Sequence, residues 1–392
     1  MVLQPASGAR DLNPKQVEVN QLLTKELSSV YRLWGYEEVA PPRVERIETL
    51  TAGGAISRKD IVQLVADEPL GLRPEMTASI ARAACTRLSN QKRPLRLWTA
   101  GTVFETKESV DSSLLIEENL KCGVELIGVK GINGEMELLS LLLKVLEKLE
   151  INEKYVPTLL IGHTSLLELV LSLVDESSRN IVKSYLLNFD RVKLEEMKIS
   201  RDLFTKLKNS LELRGDGIQV LNTLKDNFGQ YKDYRNLSRL FNLLTQKSEN
   251  SSLKIQLDPT FQPHYELYKG IVFQLICKGD QAPIVIASGG RYDEIIEGFG
   301  FEGNESGGIG FSFAIDKIRE LGIQKKSNVE PEEKILIAYG NECSLEKALD
   351  KQDLFHREGI RAQLELEPCE SLEVANQLLK KRKCNKVEWI AK

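Results

Sequence analysis

Histidine is scarce in this chain, with three among 392 residues, and the six cysteines (Cys85, Cys122, Cys277, Cys343, Cys369, Cys384) are far apart with no C-x-x-C pair. That spacing argues against a zinc knuckle and a disulfide framework, and so few histidines argue against a His-based metal cluster. No apolar run approaches the ~20 residues that a membrane helix needs. The opening stretch MVLQPASGARDLNP lacks the basic-then-apolar pattern of a secretory signal. Basic charge is not in excess: 53 Lys and Arg face 57 Asp and Glu, for a net charge of −4. A dedicated nucleic-acid binder usually carries a basic surface that releases counterions from phosphates. The dense basic cluster, KKRK at 380–383, reads as a solvated helix end favoured by the C-terminal dipole. The expectation is a cytosolic, metal-free protein without a cofactor.

What is present is ordinary for a soluble globular protein, 42% hydrophobic and 28% charged residues, with enough length for more than one domain. Residues 16–34 place Val17, Val19, Leu22, Leu23, Leu27, Val30 and Leu33 near helical spacing, and Gly35 fits a C′ stop. YEEVAPP reads as a short strand closed by Pro41 and Pro42, which suits a sheet edge. IVQLVAD reads as a strand, and LRPEMTASIARAA as a helix from Glu75. RPLRLWTAGTVFE and LKCGVELIGV read as antiparallel strands joined by a long polar loop. GEMELLSLLLKVLEKLEI reads as a helix. From about 165 to 250 the chain is Leu-, Lys- and Asn-rich without proline, which predicts an all-α insertion.

Strand patterns return at LKIQLD, YKGIVFQLIC and PIVIA. QKKSNVEPEEK reads as a linker, placed at 326–334. The tail, 335–392, alternates strand, helix, strand, helix, strand. The predicted class is therefore α+β: a main body over 1–325 and a small α/β module. The glycines of ASGGRYDEII (287–296) lack the G-x-G-x-x-G and Walker spacings. They fit a phosphate cradle, an amino-acid pocket or a tight turn.

Taken in order, SGARDLNP, GYEEVAPP, LRPEMTASIARA, LWTAGTVFE, CGVELIG, YKGIVFQ, SGGRYDEII and GIGFSFAIDKI resemble the motifs of class II histidyl-tRNA synthetases over nearly the whole chain. The resemblance implies a six-stranded antiparallel catalytic sheet, and a homodimer built through the first helix and the strand ending at Pro41–Pro42. It also implies three cations that handle ATP. At those positions stand Glu105, Pro263 and Lys317. A carboxylate beside the α-phosphate reverses the local field, proline has neither charge nor donor, and lysine lacks the planar fork. Removing one preorganised charge donor typically costs ~10²–10³ in rate, so synthetase chemistry is expected to be lost. The following loop, SVDSSLLIEEN, is also without Arg or Lys.

The amino-acid side survives. The resemblance assigns Glu75 and Thr77 to an α-amino group, Glu125 and Tyr268 to an imidazole, and Tyr292 to the same cavity. A carboxylate with a phenol suits an imidazole's one donor and one acceptor. Alternatively, Glu75 is a first-turn residue of a helix, and Tyr268 and Tyr292 are core aromatics. A glutamine expected at the ligand is Lys121, unfavourable there unless it turns toward Glu75 or Glu117.

Loss of the ATP cations with retention of this pocket resembles the family of ATP phosphoribosyltransferase regulatory subunits. That resemblance implies a non-catalytic protein that assembles with a short-form catalytic subunit and senses histidine, with no membrane and no tRNA as partner. The C-terminal module is expected to be a truncated anticodon-binding-like unit. An active or divergent histidyl-tRNA synthetase, and a synthetase-derived binding protein with another partner, are the alternatives.

Overall fold

In the computed structural model, the structure describes residues 3–391 except 53, 55, 109–113, 264–266 and 324–332. The chain divides into two units, one up to Ile323 and one from Gln324. The expected linker, 326–334, lies outside the described residues but for its last two.

The first unit opens with α1 (Pro14–Leu33), whose start is set by a reciprocal cap: Asn13 Oδ1 accepts Gln16 N–H at 3.0 Å and Gln16 Oε1 accepts Asn13 N–H at 2.9 Å. Gly35 follows with φ of 79°, the left-handed conformation that lets the chain turn off the helix. Next come β1 (Glu37–Glu38), β2 (Val44–Arg46), α2 (Ile47–Thr51), β3 (Val62–Leu64), β4 (Leu70–Leu72) and α3 (Thr77–Cys85). Then follow β5 (Leu95–Glu108), β6 (Leu114–Ile127), α4 (Ile132–Leu149) and β7 (Thr158–His163).

Six helices occupy the proline-free region: α5 (Thr164–Leu171), α6 (Glu176–Leu187), α7 (Arg191–Glu196), α8 (Arg201–Glu212), α9 (Gly217–Phe228) and α10 (Tyr234–Ser248). The unit is completed by β8 (Lys254–Leu257), β9 (Ile271–Lys278), β10 (Pro283–Arg291), α11 (Asp293–Gly298), β11 (Gly308–Ala314) and α12 (Ile315–Glu320).

The main sheet runs β1-β5-β6-β11-β10-β9-β7-β8. Its six inner strands, from β5 to β7, are mutually antiparallel, as expected. A parallel strand on each edge, β1 beside β5 and β8 beside β7, extends the six to eight. The short strands β2, β4 and β3 form a separate antiparallel sheet. The principal core joins Leu23 and Leu27 of α1, Leu138 and Leu142 of α4, and Phe273, Phe311 and Phe313 of the sheet.

Several elements are shorter or longer than their sequence patterns. The strands expected in YEEVAPP and IVQLVAD shrink to Glu37–Glu38 and Val62–Leu64. The long loop expected between the two central strands is instead mostly ladder. β5 and β6 pair without a break from Leu95↔Ile127 to Glu108↔Leu114. Polar alternation there marks a hairpin arm wet on one side, which loop composition alone does not distinguish.

The second unit has β12 (Lys334–Tyr339), α13 (Leu345–Arg357), β13 (Arg361–Leu364), α14 (Leu372–Arg382) and β14 (Lys386–Ile390). Its sheet is parallel, in the order β13-β12-β14. Ile335, Ile337 and Tyr339 pack with Ala348 of α13, while Ala338 packs with Ala375 of α14. The alternation along β12 therefore serves both sides of the sheet. The KKRK cluster closes α14, with Arg382 forked onto Glu365 at 2.6 and 2.5 Å.

Candidate functional site

A cavity of about 430 Å³ opens on one face of the main sheet. Its floor is a set of cross-strand rows. In the first, Glu125 of β6 sits beside Gly310 of β11, which sits beside Gly290 of β10. In the second, Thr99, Gly123, Ser312 and Ser288 stand in register. A third pairs Gly101 with Lys121. Period-two alternation puts Lys121, Gly123 and Glu125 on one face, and all three line the cavity.

The glycines make the space. A Cβ on Gly310 would overlap the Glu125 carboxyl, and one on Gly290 would lie 2.6 Å from the Tyr268 ring. The glycines of GGRYD therefore sit inside strand β10, not in a tight turn, and seat an aromatic wall.

Glu125 is the centre of the site. It is buried, Tyr292 Oη donates to its Oε2 at 2.5 Å, and Thr77 Oγ1 donates to its Oε1 at 2.9 Å. Burial pushes its carboxyl up to about 8, against the partly compensating hydroxyls of Tyr292 and Thr77. The phenols of Tyr268 and Tyr292 are raised too, first by burial and then by the Glu125 charge. Cys122 in the neighbouring row is buried, and its thiol is pushed up to about 12, as an inert core cysteine's would be.

Glu75 has a dual position. It lines the cavity, yet its carboxylate also accepts the backbone N–H groups of Thr77 and Ala78 (the latter at 2.9 Å), so it caps α3 from just outside. The helix thus begins at Thr77, two residues later than its sequence suggests. A carboxylate has four lone-pair sites, so capping leaves room for a further donor.

The five expected pocket residues, Glu75, Thr77, Glu125, Tyr268 and Tyr292, all line this one cavity. Of the three altered positions, Glu105 lines it, whereas Pro263 and Lys317 are not among its lining residues. Lys317 pairs with Glu320 at 3.1 Å on the surface. Lys121 does not turn to Glu75 or Glu117: its ammonium lies 2.6 Å from Glu105, while Glu117 is taken by Lys107. Sequence reasoning missed that pairing, along with the hydroxyl row of Thr99, Ser288 and Ser312. The signal for the row was the strand register, which places small polar residues on the Glu125 side of three strands.

Arg291 of GGRYD points elsewhere. It donates to Glu135 at 3.1 Å, to Asp293 and Val129 O at 3.0 Å, and to Gly131 O at 3.0 Å, tying β10 to the start of α4. Arg73 is likewise structural, reaching Pro41 O at 2.9 Å and Thr102 O at 3.1 Å. Among the described residues, the cavity wall carries four carboxyl groups (Asp60, Glu75, Glu105, Glu125) and a single cation, Lys121. Such a wall repels a polyphosphate and suits a small molecule that brings its own positive charge.

Sheet and cavity together define a histidyl-tRNA synthetase-like protein, and the histidyl-tRNA synthetase family model matches residues 8–318. The chain shares its fold with a solved ATP phosphoribosyltransferase regulatory subunit/histidyl-tRNA synthetase from Bacillus halodurans C (TM-score 0.81, 23% identity, 99% and 98% of the two chains). It also shares it with histidyl-tRNA synthetase from Nostoc sp. PCC 7120 (TM-score 0.78, 17% identity, 98% and 90%). Sequence similarity goes further. The chain is 53% identical over 390 residues to the ATP phosphoribosyltransferase regulatory subunit of Prochlorococcus marinus (strain MIT 9303), and 49% identical to that of Synechococcus sp. (strain WH7803), covering 100% of each. It belongs to the family of ATP phosphoribosyltransferase regulatory subunits.

Proposed function

We propose that this chain is a non-catalytic regulatory subunit of ATP phosphoribosyltransferase, required for the first step of histidine biosynthesis and conferring feedback inhibition by histidine. One observation supports the reading: Glu125, hydrogen-bonded by Tyr292 and Thr77, lines the synthetase-like cavity, while the only cation on its described wall is a lysine paired with Glu105. Its catalytic partner is the short-form subunit, and its own core is a homodimer through α1 and the segment ending at Pro41–Pro42. Leu33 at the end of α1 is 86% exposed, an apolar side chain that such a contact would cover. Among the described residues no helix is long and apolar enough to cross a membrane. The six cysteines are free thiols, which supports work in the reducing cytoplasm.

Histidine fits the cavity by its chemistry. Its imidazole meets Glu125 and the phenols, its α-ammonium meets the carboxylates near Thr77, and the glycine rows leave room for the ring. Inhibition then requires only that histidine bind one conformation of the complex better than the other.

The reading is tested by mixing the chain with a short catalytic subunit, and by assaying the chain alone for histidine-dependent ATP–pyrophosphate exchange. Co-elution without exchange is the expected result. Exchange at synthetase rates would restore the active-enzyme alternative and remove this one. In the same preparation, Tyr268→Ala is expected to weaken histidine binding about tenfold or more, through loss of a partly buried aromatic wall. Calorimetric titration with histidine checks this, and co-elution of the variant should be unchanged.

A further inference from the structure

The second unit has a cavity of its own, about 620 Å³, where the first residues of β12 and β13 meet the ends of α13 and α14. Among the described residues its lining holds four cations, Lys334, Arg361, Arg382 and Lys383, and no carboxylate. Strand register causes part of this crowding, since Lys334 stands directly opposite Arg361. The next pair, Ile335 and Ala362, packs with Ala348 of α13. Alternation therefore turns Lys334 and Arg361 to the other face, where α14 ends. Like charges directly opposite one another on a sheet are unfavourable. Arg382 is already held by its fork onto Glu365, whereas the Lys334 and Lys383 ammonium groups form no ion pair among the described residues. A helix C-terminus favours cations, which accounts for Arg382 and Lys383. It does not account for Lys334 and Arg361, which open strands.

We propose that this cavity is a binding site for a small phosphorylated molecule. The inference does not depend on the histidine reading, because every lining residue belongs to the second unit. A phosphate seated between Lys334 and Arg361 turns their mutual repulsion into two attractions, with the guanidinium supplying a planar fork and the ammonium a point charge. Ile335, Ile360 and Cys384 add an apolar wall beside the cations, which suits the organic group that carries the phosphate. The volume lies within the ~300–1,000 Å³ usual for small-molecule sites. Single-stranded nucleic acid is instead held by aromatic platforms beside the cations. No Phe, Tyr or Trp is among the described lining residues, which favours a small ligand over a polymer.

The test titrates the full chain calorimetrically with inorganic pyrophosphate, a probe that carries the phosphate chemistry and nothing else. Saturable binding at a single site per chain is expected. Lys334→Gln and Arg361→Gln are each expected to weaken it about tenfold or more, the scale of one charge-assisted hydrogen bond. Lys381→Gln is the control, since Lys381 belongs to the same KKRK cluster but does not line the cavity. It should change the affinity less than about twofold, because a solvated charge outside the site is screened. Thermal midpoints without ligand check folding: Lys334→Gln should melt no lower than the parent, since it removes a like-charge contact. Equal losses from Lys381→Gln and Lys334→Gln would reduce the effect to diffuse charge and overturn the site. So would absence of pyrophosphate binding at millimolar concentration. Tighter binding of an oligouridylate than of pyrophosphate, lost in the same variants, would replace the small molecule by a nucleic acid and overturn the proposal as stated.

Discussion

Glu125→Gln is expected to weaken histidine binding about 100-fold near neutral pH while the chain still folds and assembles. Glutamine keeps the shape and can still bond Tyr292 and Thr77, but it cannot ionise against an imidazolium. Losing one side of a buried, hydrogen-bonded charge pair costs ~2–5 kcal/mol, and 1.4 kcal/mol is tenfold. The pH dependence carries a sharper signature. In the empty site the Glu125 carboxyl holds its proton up to about pH 8, while free imidazole loses its own near ~6.5. Between those values both partners are neutral outside the complex and share one proton inside it, so binding takes up no proton and affinity is flat. Below that window an extra proton must leave, and above it one must be gained, so affinity falls on both sides. The glutamine variant keeps the acid limb and loses the part of the alkaline limb that belongs to Glu125. The ratio of parent to variant affinity isolates this, because titration of the ligand's own amino group cancels.

The same carboxyl sets a stability slope with the opposite use. Its folded value, about 8, lies above the ordinary glutamate value of 4.5. Its contribution is therefore fully present below about pH 4.5 and is lost as pH rises through 8. The total is about 3–5 kcal/mol for a fully buried group. Without histidine, the glutamine variant should melt higher than the parent at pH 8.5 and nearly match it at pH 5. Equal melting at both values would mean that Glu125 is not buried.

The second large effect lies outside the cavity. Arg291→Ala is expected to destabilise the chain by about 3–5 kcal/mol, because Arg291 and Glu135 form an ion pair with both side chains only 7% exposed. Truncating the arginine strands a buried carboxylate and two carbonyls, those of Val129 and Gly131. Arg291→Lys keeps the charge but not the fork, so it should recover only part of the loss. Urea unfolding of the three proteins reads this directly. Histidine affinity of the folded variant should stay within about threefold of the parent, since Arg291 does not line the cavity. A variant of normal stability with lost histidine binding would move Arg291 back into the site.

Arg291 also illustrates what the sequence could and could not reveal. GGRYD drew attention to a segment that does reach the cavity, but the motif does not say which of its side chains faces which way. Strand β10 and the residue after it send Ser288 and Tyr292 to the cavity and Arg291 to α4. That alternation becomes readable only once Gly289 and Gly290 are known to be strand rather than turn. The helical region and the strand–helix alternation of 335–392 were legible because their periodicities are long and regular. The β5–β6 arms were not, because SSLLIEEN has loop-like polarity although most of it pairs in a half-wet hairpin. Glu75, Thr77, Glu125, Tyr268 and Tyr292 could be named from motif order, but the Lys121–Glu105 pair could not. Those residues are sixteen apart on two strands, and only the hairpin register and the side-chain directions bring them together.

Phosphoribosyl-ATP formation by a short catalytic subunit, with and without this chain and across a histidine titration, is the decisive assay. Activity should require the chain and fall as histidine rises, with the fall displaced about 100-fold by Glu125→Gln. Activity indifferent to the chain would refute the regulatory role, and inhibition by histidine that Glu125→Gln leaves in place would refute the pocket.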